Sequence, residues 1–125
     1  MIKIILTFIF GFIEKEIGGF DKLVNTLLLF MLMDYLTGIM KAIINKKVSS
    51  EVSFKGIFKK ILILFMIALS HEIDILLEST GIRYMVVTFY IINEGISIIE
   101  NASIIGLPIP KKIKETLEKL KTDSK

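Results

Sequence analysis

Apolar residues are gathered into long stretches along the chain, and the charged residues are bunched between them. Three stretches are long enough for membrane helices, which need about 20 residues to cross roughly 30 Å of hydrocarbon. They span residues 23–44, 57–77 and 82–107. None is free of charge throughout, so a soluble bundle of buried helices is the alternative. Because little polar sequence is left to cover such a bundle, the pattern favours three transmembrane helices.

The N-terminal apolar stretch is shorter than these three. Residues 1–13 are mostly apolar and end at a charged cluster at residues 14–16. A helix of that length reaches only about 20 Å, which suits a short tilted span, an interfacial helix or a signal peptide. A signal peptide is disfavoured because no small-residue cleavage site precedes the charges. We expect an interfacial or partly inserted helix over residues 1–18, joined to the next helix through Gly18 and Gly19.

Polar and helix-breaking residues separate the apolar stretches. Residues 45–56 read as a basic loop rich in lysine and serine, in which Ser53 is a candidate N-cap of the following helix. The glycine and prolines of residues 106–110 end the last stretch, because proline cannot continue a helical backbone. Residues 111–125 repeat apolar positions among lysines and predict a basic amphipathic helix on the membrane surface or in water. The expected fold is a single all-α membrane domain over residues 1–125.

The distribution of charge predicts an orientation. Sixteen lysines and arginines against 13 acidic residues give a net charge of +3, too modest to indicate nucleic-acid binding. Residues 41–60 hold six lysines against one glutamate (+5), and residues 111–125 hold six against three acidic residues (+3). By the positive-inside rule the basic loop and the C-terminal tail lie in the cytoplasm, and the turn at residues 78–83 faces outward. The predicted location is the cytoplasmic membrane, crossed several times.

Two carboxylates near mid-span stand out. Ionisable groups in hydrocarbon cost at least about 2.5–3.5 kcal/mol each on insertion scales, so Asp34 and Glu94 need a reason to be there. On a helical projection each lies on a polar stripe of its span, and that stripe can either pack between helices or line a water-filled path. A direct Asp34–Lys41 pair within one helix is strained, and pairing between subunits is an equal possibility. The candidate residues of these stripes are Asp34, Thr37, Lys41, Asn93, Glu94, Ser97, Glu100 and Asn101.

Other polar and small residues have simpler interpretations. Five charged residues lie toward the ends of the spans and are expected to reach the lipid headgroups: Lys41, Lys59, Lys60, Asp74 and Glu78. Gly38 and Ala42 form a small-xxx-small pair that permits close helix packing, including self-association, and such pairs are common in membrane helices.

Nothing in the chain indicates catalysis. His71 is the single histidine, and no second ligand recurs at metal spacing. Ser70 and His71 are adjacent on a helix, so their side chains point about 100° apart and cannot act as a catalytic pair. The sequence contains no phosphate-binding glycine loop and no cysteine. We therefore expect no enzyme activity, no metal and no cofactor.

Several local motifs resemble one family of phage holins, which includes the holin-like toxin-secretion proteins of Gram-positive bacteria. They are the run MDYLTG at residues 33–38, the run FKGIFKK at 54–60, and Asn93–Glu94 in the last span. The most distinctive is the ending Gly-x-Pro-x-Pro-Lys of residues 106–111. The residues that carry this ending are Gly106, Pro108 and Pro110. The similarity extends over most of the chain but not over the first 20 residues.

The resemblance implies a small protein of the cytoplasmic membrane that accumulates, assembles into homo-oligomers and then permeabilises the bilayer. Such lesions let a cytoplasmic endolysin, or a large toxin without a signal peptide, leave the cell, with no direct contact to the lesion-forming protein required. Two other functions remain open. One is a small multidrug transporter, although the chain has no mid-helix glutamate in its first helix and no tryptophan. The other is an antiholin, a membrane partner that pairs with a holin and blocks it.

Overall fold

The protein is a bundle of helices. A computed structural model describes residues 1–47 and 49–123, and within them there is no β-strand. The five helices are α1 (Ile2–Ile17), α2 (Lys22–Ile44), α3 (Ser50–Leu77), α4 (Ile82–Ile105) and α5 (Lys111–Asp123). The predicted all-α class is thus confirmed, and α2 and α4 are long and apolar enough to cross a membrane.

The third predicted transmembrane helix is not confirmed. Among the described helices, α3 is not one of those with the length and composition of a span. Lys59 and Lys60 lie in its first half, and Glu72 and Asp74 lie in its last two turns. The uncharged stretch between them is too short to cross about 30 Å of hydrocarbon without those charges entering it.

The prediction of a basic loop over residues 45–56 is wrong for the second half of that segment. The helix α3 begins at Ser50, so most of the segment 45–56 is helical and Ser53 lies inside the first turn, where its N–H donates to Ser49 O at 3.2 Å. Helix is favoured here because Phe54 and Phe58, one turn apart, stack their rings at 6.4 Å.

Glycines end two of the helices in the left-handed conformation. Gly18 closes α1 at φ 86°, and Gly106 closes α4 at φ 112°, where its N–H bonds the carbonyl groups of the last turn. A glycine adopts this conformation without steric cost, whereas other residues rarely do. Helix α4 therefore ends at Ile105, two residues before the predicted end of the stretch 82–107.

Helix α4 is the centre of the bundle. It packs against α2 along its most extensive contact and also against α3 and α5, while α1 packs on α3. The helices α2 and α3 touch each other only sparsely. The apolar core lies toward the end of the bundle where α1 ends and α2 and α4 begin. Its buried members are Ile17, Val24, Leu27, Met31, Ile63, Ile67 and Val87.

Large apolar side chains cover the outside of the bundle. Phe8 is 77% exposed, Leu76 78% and Met85 63%, while charged Asp74 and Glu94 are each only 6% exposed. This is the reverse of a water-soluble protein, whose charged residues are almost never fully buried unless paired. A contiguous apolar exterior of this kind fits surroundings made of lipid or of other helices.

The C-terminal helix lies against α4 and does not extend away from it. A Cβ on Gly95 would lie 3.7 Å from the methyl groups of Leu117, and 3.4 Å from the ring of Phe30 on α2. The predicted amphipathic helix is present, and its apolar side docks where Gly95 leaves room.

Candidate functional site

Three charged side chains meet between α2, α3 and α4. The ammonium group of Lys60 donates to Asp34 Oδ2 and, at 2.6 Å, to Glu94 Oε2. The exposed fractions of these side chains are 19% for Lys60, 14% for Asp34 and 8% for Glu94. Each of the three helices therefore contributes one charge to a mostly buried contact, and the lysine joins two carboxylates that would otherwise repel each other.

Neutral groups of α4 complete the coordination of Asp34. Ser97 Oγ donates to Asp34 Oδ1 at 2.5 Å, and Asn101 Nδ2 lies 3.2 Å from the same oxygen. Asn101 also donates to Thr37 Oγ1 at 3.0 Å, and Thr37 in turn donates to Met33 O at 2.8 Å. We call this set the Lys60 network; it comprises Asp34, Thr37, Lys60, Glu94, Ser97 and Asn101.

The Lys60 network fixes the register of three helices more than it adds stability. Removing charges from water costs several kcal/mol per ion, and the attraction between them repays that cost only when the remaining polar atoms are also satisfied. Here Asp34 receives donors from Lys60, Ser97 and Asn101. An alternative register of α2 against α4 would leave these buried groups unpaired, so the contact selects one arrangement.

The structure brings together five of the eight predicted stripe residues. Asp34, Thr37, Glu94, Ser97 and Asn101 belong to the Lys60 network. The other three lie apart from it. Lys41 and Asn93 line a neighbouring cleft, and Glu100 is exposed beside α5 in a crevice with Lys114 and Leu117.

The expectation that Lys60 reaches the lipid headgroups is wrong, and the spacing of residues in α3 already indicates a buried position. Lys60 lies in register with the buried face of α3, because Lys60, Ile63, Ile67, Ser70 and Asp74 follow one another at steps of three or four residues. This spacing keeps side chains on one helix face. The carboxylates of Asp34 and Glu94 on neighbouring helices pair with the ammonium group and offset the free-energy cost of burying it.

The same expectation fails for Asp74. Its carboxylate is buried and accepts hydrogen bonds from Ser79 Oγ at 2.6 Å, Ile82 N–H at 3.1 Å and Arg83 N–H at 2.9 Å. The two N–H groups belong to the first turn of α4, which has no helical partners for them. Asp74 therefore caps α4 from the end of α3 and closes the turn between them.

Arg83 ties the joint between α1 and α2 to the start of α4. Its guanidinium donates to Ile17 O at 2.5 Å, to Gly19 O at 3.0 Å and to Asp21 Oδ2 at 2.9 Å. Asp21 also caps α2 by accepting from Val24 N–H at 2.9 Å. Partial burial acts to raise the pKa of the Asp21 carboxyl, but these hydrogen bonds and the charge of Arg83 outweigh it and hold the pKa below its usual value.

Gly38 lies at a contact between two helices of the same chain. A Cβ at Gly38 would lie 3.8 Å from Asn101 Nδ2, so this position faces α4 beside the Lys60 network. Ala42, one turn further along, lines the cleft between α2 and α3. Their predicted role in close helix packing between chains stays a prediction.

A cleft of about 790 Å³ opens between α2 and α3, where these helices diverge. Its floor is the Lys60 network, with Asp34, Glu94, Ser97 and Asn101 among the lining residues. Its mouth lies where α2 ends and α3 begins. A largely apolar cleft that reaches a buried charged cluster is an arrangement that a purely structural anchor does not need.

Comparison with known proteins identifies the family. The bacteriophage holin family matches over residues 11–122. An uncharacterized 14.9 kDa protein from the nagH 3′ region of Clostridium perfringens is 42% identical over 105 residues, covering 82% of this chain and 80% of the relative. An uncharacterized protein of Halalkalibacterium halodurans is 39% identical over 112 residues, covering 85% and 83%.

An uncharacterized protein of Listeria monocytogenes is similar as well, with 38% identity over 110 residues that cover 87% of this chain and 76% of the relative. No solved structure matches the chain. The family match includes every residue of the Lys60 network and both helices with the character of membrane spans. The chain therefore belongs to the bacteriophage holin family.

Proposed function

We propose that this protein is a holin that assembles into homo-oligomers in the cytoplasmic membrane and opens lesions there. The lesions would release a cytoplasmic endolysin, or a large toxin without a signal peptide. The observation that carries the proposal is the Lys60 network, a charged contact between three helices of a bundle whose exterior is apolar. Family membership supports the same reading.

The polar faces of α2, α3 and α4 can adopt two arrangements, one packed inside a single chain and one facing water in a lesion. In the closed state Asp34 and Glu94 are paired with Lys60 inside one chain. When chains crowd together, the same faces can turn toward water between neighbouring copies, because intact helices keep their backbone hydrogen bonds in any arrangement. The predicted stripe residues then line the lesion, with Glu100 on the side of α4 that α5 now covers.

The proposed topology has α2, α3 and α4 crossing the membrane. The charges of α3 are the obstacle, and two of them have buried partners: Lys60 pairs with two carboxylates, and Asp74 caps α4. Paired and hydrogen-bonded charges are those that membrane segments tolerate. The basic link after α2 and the C-terminal tail are then cytoplasmic.

Helix α1 is proposed to lie in the interface or to be partly inserted, since its apolar residues are exposed along most of its length. A cysteine introduced by Ile2→Cys, in a chain that has no other, reports this position through an impermeant thiol reagent. Labelling of intact cells places the N-terminus outside, and labelling only after lysis places it inside.

Inducible expression in a bacterium, with and without a signal-less cytoplasmic endolysin, tests the proposed function. Culture density and release of a folded cytoplasmic reporter are followed through time, with endolysin alone as the control. We expect abrupt lysis after a fixed delay, dependent on the endolysin and accompanied by reporter release. Continued growth at confirmed membrane expression contradicts the proposal and favours an antiholin, whereas proton-coupled drug uptake favours a transporter.

A further inference from the structure

The cleft between α2 and α3 is chemically divided. Its inner walls are apolar and include Ile39, Leu62 and Met66. Leu62 and Met66 are also partly exposed on the outside of the bundle, so the apolar wall is continuous with the outer surface. The mouth, in contrast, is lined by the basic residues Lys41, Lys47 and Lys59 and by polar Asn45 and Ser53.

Within the part of the chain that the structure describes, the lysines at the mouth have no carboxylate partner. Lys60 is committed to Asp34 and Glu94 on the floor. Among the described side chains, no carboxylate lies within 4.0 Å of Lys41, Lys47 or Lys59. Three lysines, from α2, α3 and the link between them, therefore line one opening, and an anion that enters it is attracted by all three.

We propose that this cleft binds an anionic phospholipid, with the phosphate at Lys41, Lys47 and Lys59 and an acyl chain along the wall of Leu62 and Met66. The combination of a basic mouth and an apolar wall open to the outside fits an amphiphile and not a free anion. Basic pockets between membrane helices on the cytoplasmic side bind anionic headgroups in this way. The lipid site rests on the proposed membrane topology but is independent of lesion formation.

The position of the site gives the lipid a structural consequence. It occupies the gap between α2 and α3, whose mutual contact is the sparsest among the helices that touch, directly above the Lys60 network. A bound lipid therefore stabilises the separation of α2 and α3. By mass action, binding to the folded chain raises its apparent stability as the lipid concentration rises.

The test uses the purified full-length protein in non-ionic detergent, titrated with phosphatidylglycerol or phosphatidylcholine. Lipid retained through gel filtration and the midpoint of thermal unfolding are measured. The cleft variant Lys41→Gln/Lys47→Gln/Lys59→Gln is compared with Lys22→Gln/Lys111→Gln/Lys112→Gln, which removes the same charge outside the cleft. We expect phosphatidylglycerol to be retained and to raise the unfolding midpoint of the protein. Its binding should be about tenfold weaker in the cleft variant alone, which corresponds to a loss of about 1.4 kcal/mol.

Equal weakening in both variants, equal binding of the two lipids, or displacement of phosphatidylglycerol by inorganic phosphate would each overturn the lipid site. A second copy of the chain as the occupant would appear as a dimer that phosphatidylglycerol does not dissociate, and this also overturns it.

A single substitution covers the case in which the triple variant does not fold. Lys47 lies exposed in the turn after α2, so Lys47→Cys leaves the packed helices intact. A thiol reagent that adds a quaternary ammonium should restore phosphatidylglycerol retention, and one that adds a sulfonate should abolish it. Insensitivity to the sign of the added charge contradicts the proposal.

Discussion

Single side chains decide how this bundle is held together, and Lys60 is the most consequential. Lys60→Met leaves Asp34 and Glu94 buried without a cation, and breaking a buried pair in this way costs about 3–5 kcal/mol. We expect the thermal unfolding midpoint in detergent to fall by about 10 °C or more.

Lys59→Met is the matched control for Lys60→Met, because the neighbouring lysine is exposed and has no described ion pair. It should leave the midpoint within a few degrees of the wild type. Adding Asp34→Asn and Glu94→Gln to Lys60→Met should recover most of the loss, since neutral groups of similar volume replace the whole contact. Equal losses for the two lysine variants would contradict the assignment.

Gly18 carries a second residue-level prediction. A Cβ there would lie 2.6 Å from Arg83 Nε and 2.8 Å from His71 Nδ1, so Gly18→Ala must displace the guanidinium from its three acceptors. Gly19→Ala meets the same left-handed strain, about 1–2 kcal/mol, with nothing within 4 Å. We expect Gly18→Ala to lower the unfolding midpoint at least twice as far, and the difference to vanish when both Arg83→Ala and His71→Ala are added. A difference that persists in that background would show that contact with these two side chains is not its cause.

Asp21 makes stability at this joint depend on pH. Its pKa is lowered in the folded chain from the ordinary value of 3.8, so its contribution is present above that value and is lost as the pH falls through the folded pKa. Asp21→Asn keeps an N-cap side chain but removes the charge. The gap in unfolding midpoint between wild type and variant should be constant from pH 7 to about 5 and should close below about 4. A gap that widens on acidification would reverse the assigned sign.

At the scale of helices, the docking of α5 on α4 is directly testable. Ile96 and Leu117 line one crevice between these helices, whereas Thr116 is exposed on another face of α5. Because the native chain has no cysteine, Ile96→Cys/Leu117→Cys should form an intramolecular crosslink with a short bismaleimide. Ile96→Cys/Thr116→Cys should crosslink much less, and equal yields from the two pairs would show α5 to be undocked.

The boundaries of the helices could be predicted from the sequence where a residue enforces them. Gly18 and Gly106 adopt left-handed backbone and end α1 and α4 close to the expected positions. The early start of α3 at Ser50 was missed because the lysines and serines around it resemble a loop, while the stacking of Phe54 and Phe58 favours helix. The docking of α5 depends on the room left by Gly95, which no single-helix pattern reveals.

At the scale of the whole molecule, the candidate site was partly predictable. Helical projection placed Asp34, Ser97, Glu94 and Asn101 on polar stripes, and the structure joins these stripes to one another. The cation that joins them was missed, because pairing between helices depends on their relative position and not on the spacing within either one. The same reason hides the cleft, which exists because α2 and α3 each pack on α4 more than on one another.

The inverted distribution of polarity connects the fold to the proposed activity. Lys60, Asp34 and Glu94 are paired inside the bundle, while large apolar side chains are exposed on its outside. Within a membrane, a rearrangement can turn these three charges toward water only if several copies share it. Weakening the Lys60 network should therefore make that rearrangement easier once the protein has reached a given density in the membrane.

Lysis onset in cells that express a signal-less endolysin tests this claim most directly. Asp34→Asn/Glu94→Gln is compared with the wild type at matched membrane levels, and Glu72→Gln/Glu78→Gln serves as an exposed control with the same change of charge. The account predicts earlier lysis and altered crosslinked oligomers for the first pair, with wild-type timing for the control. Unchanged onset and unchanged oligomers for Asp34→Asn/Glu94→Gln would contradict it.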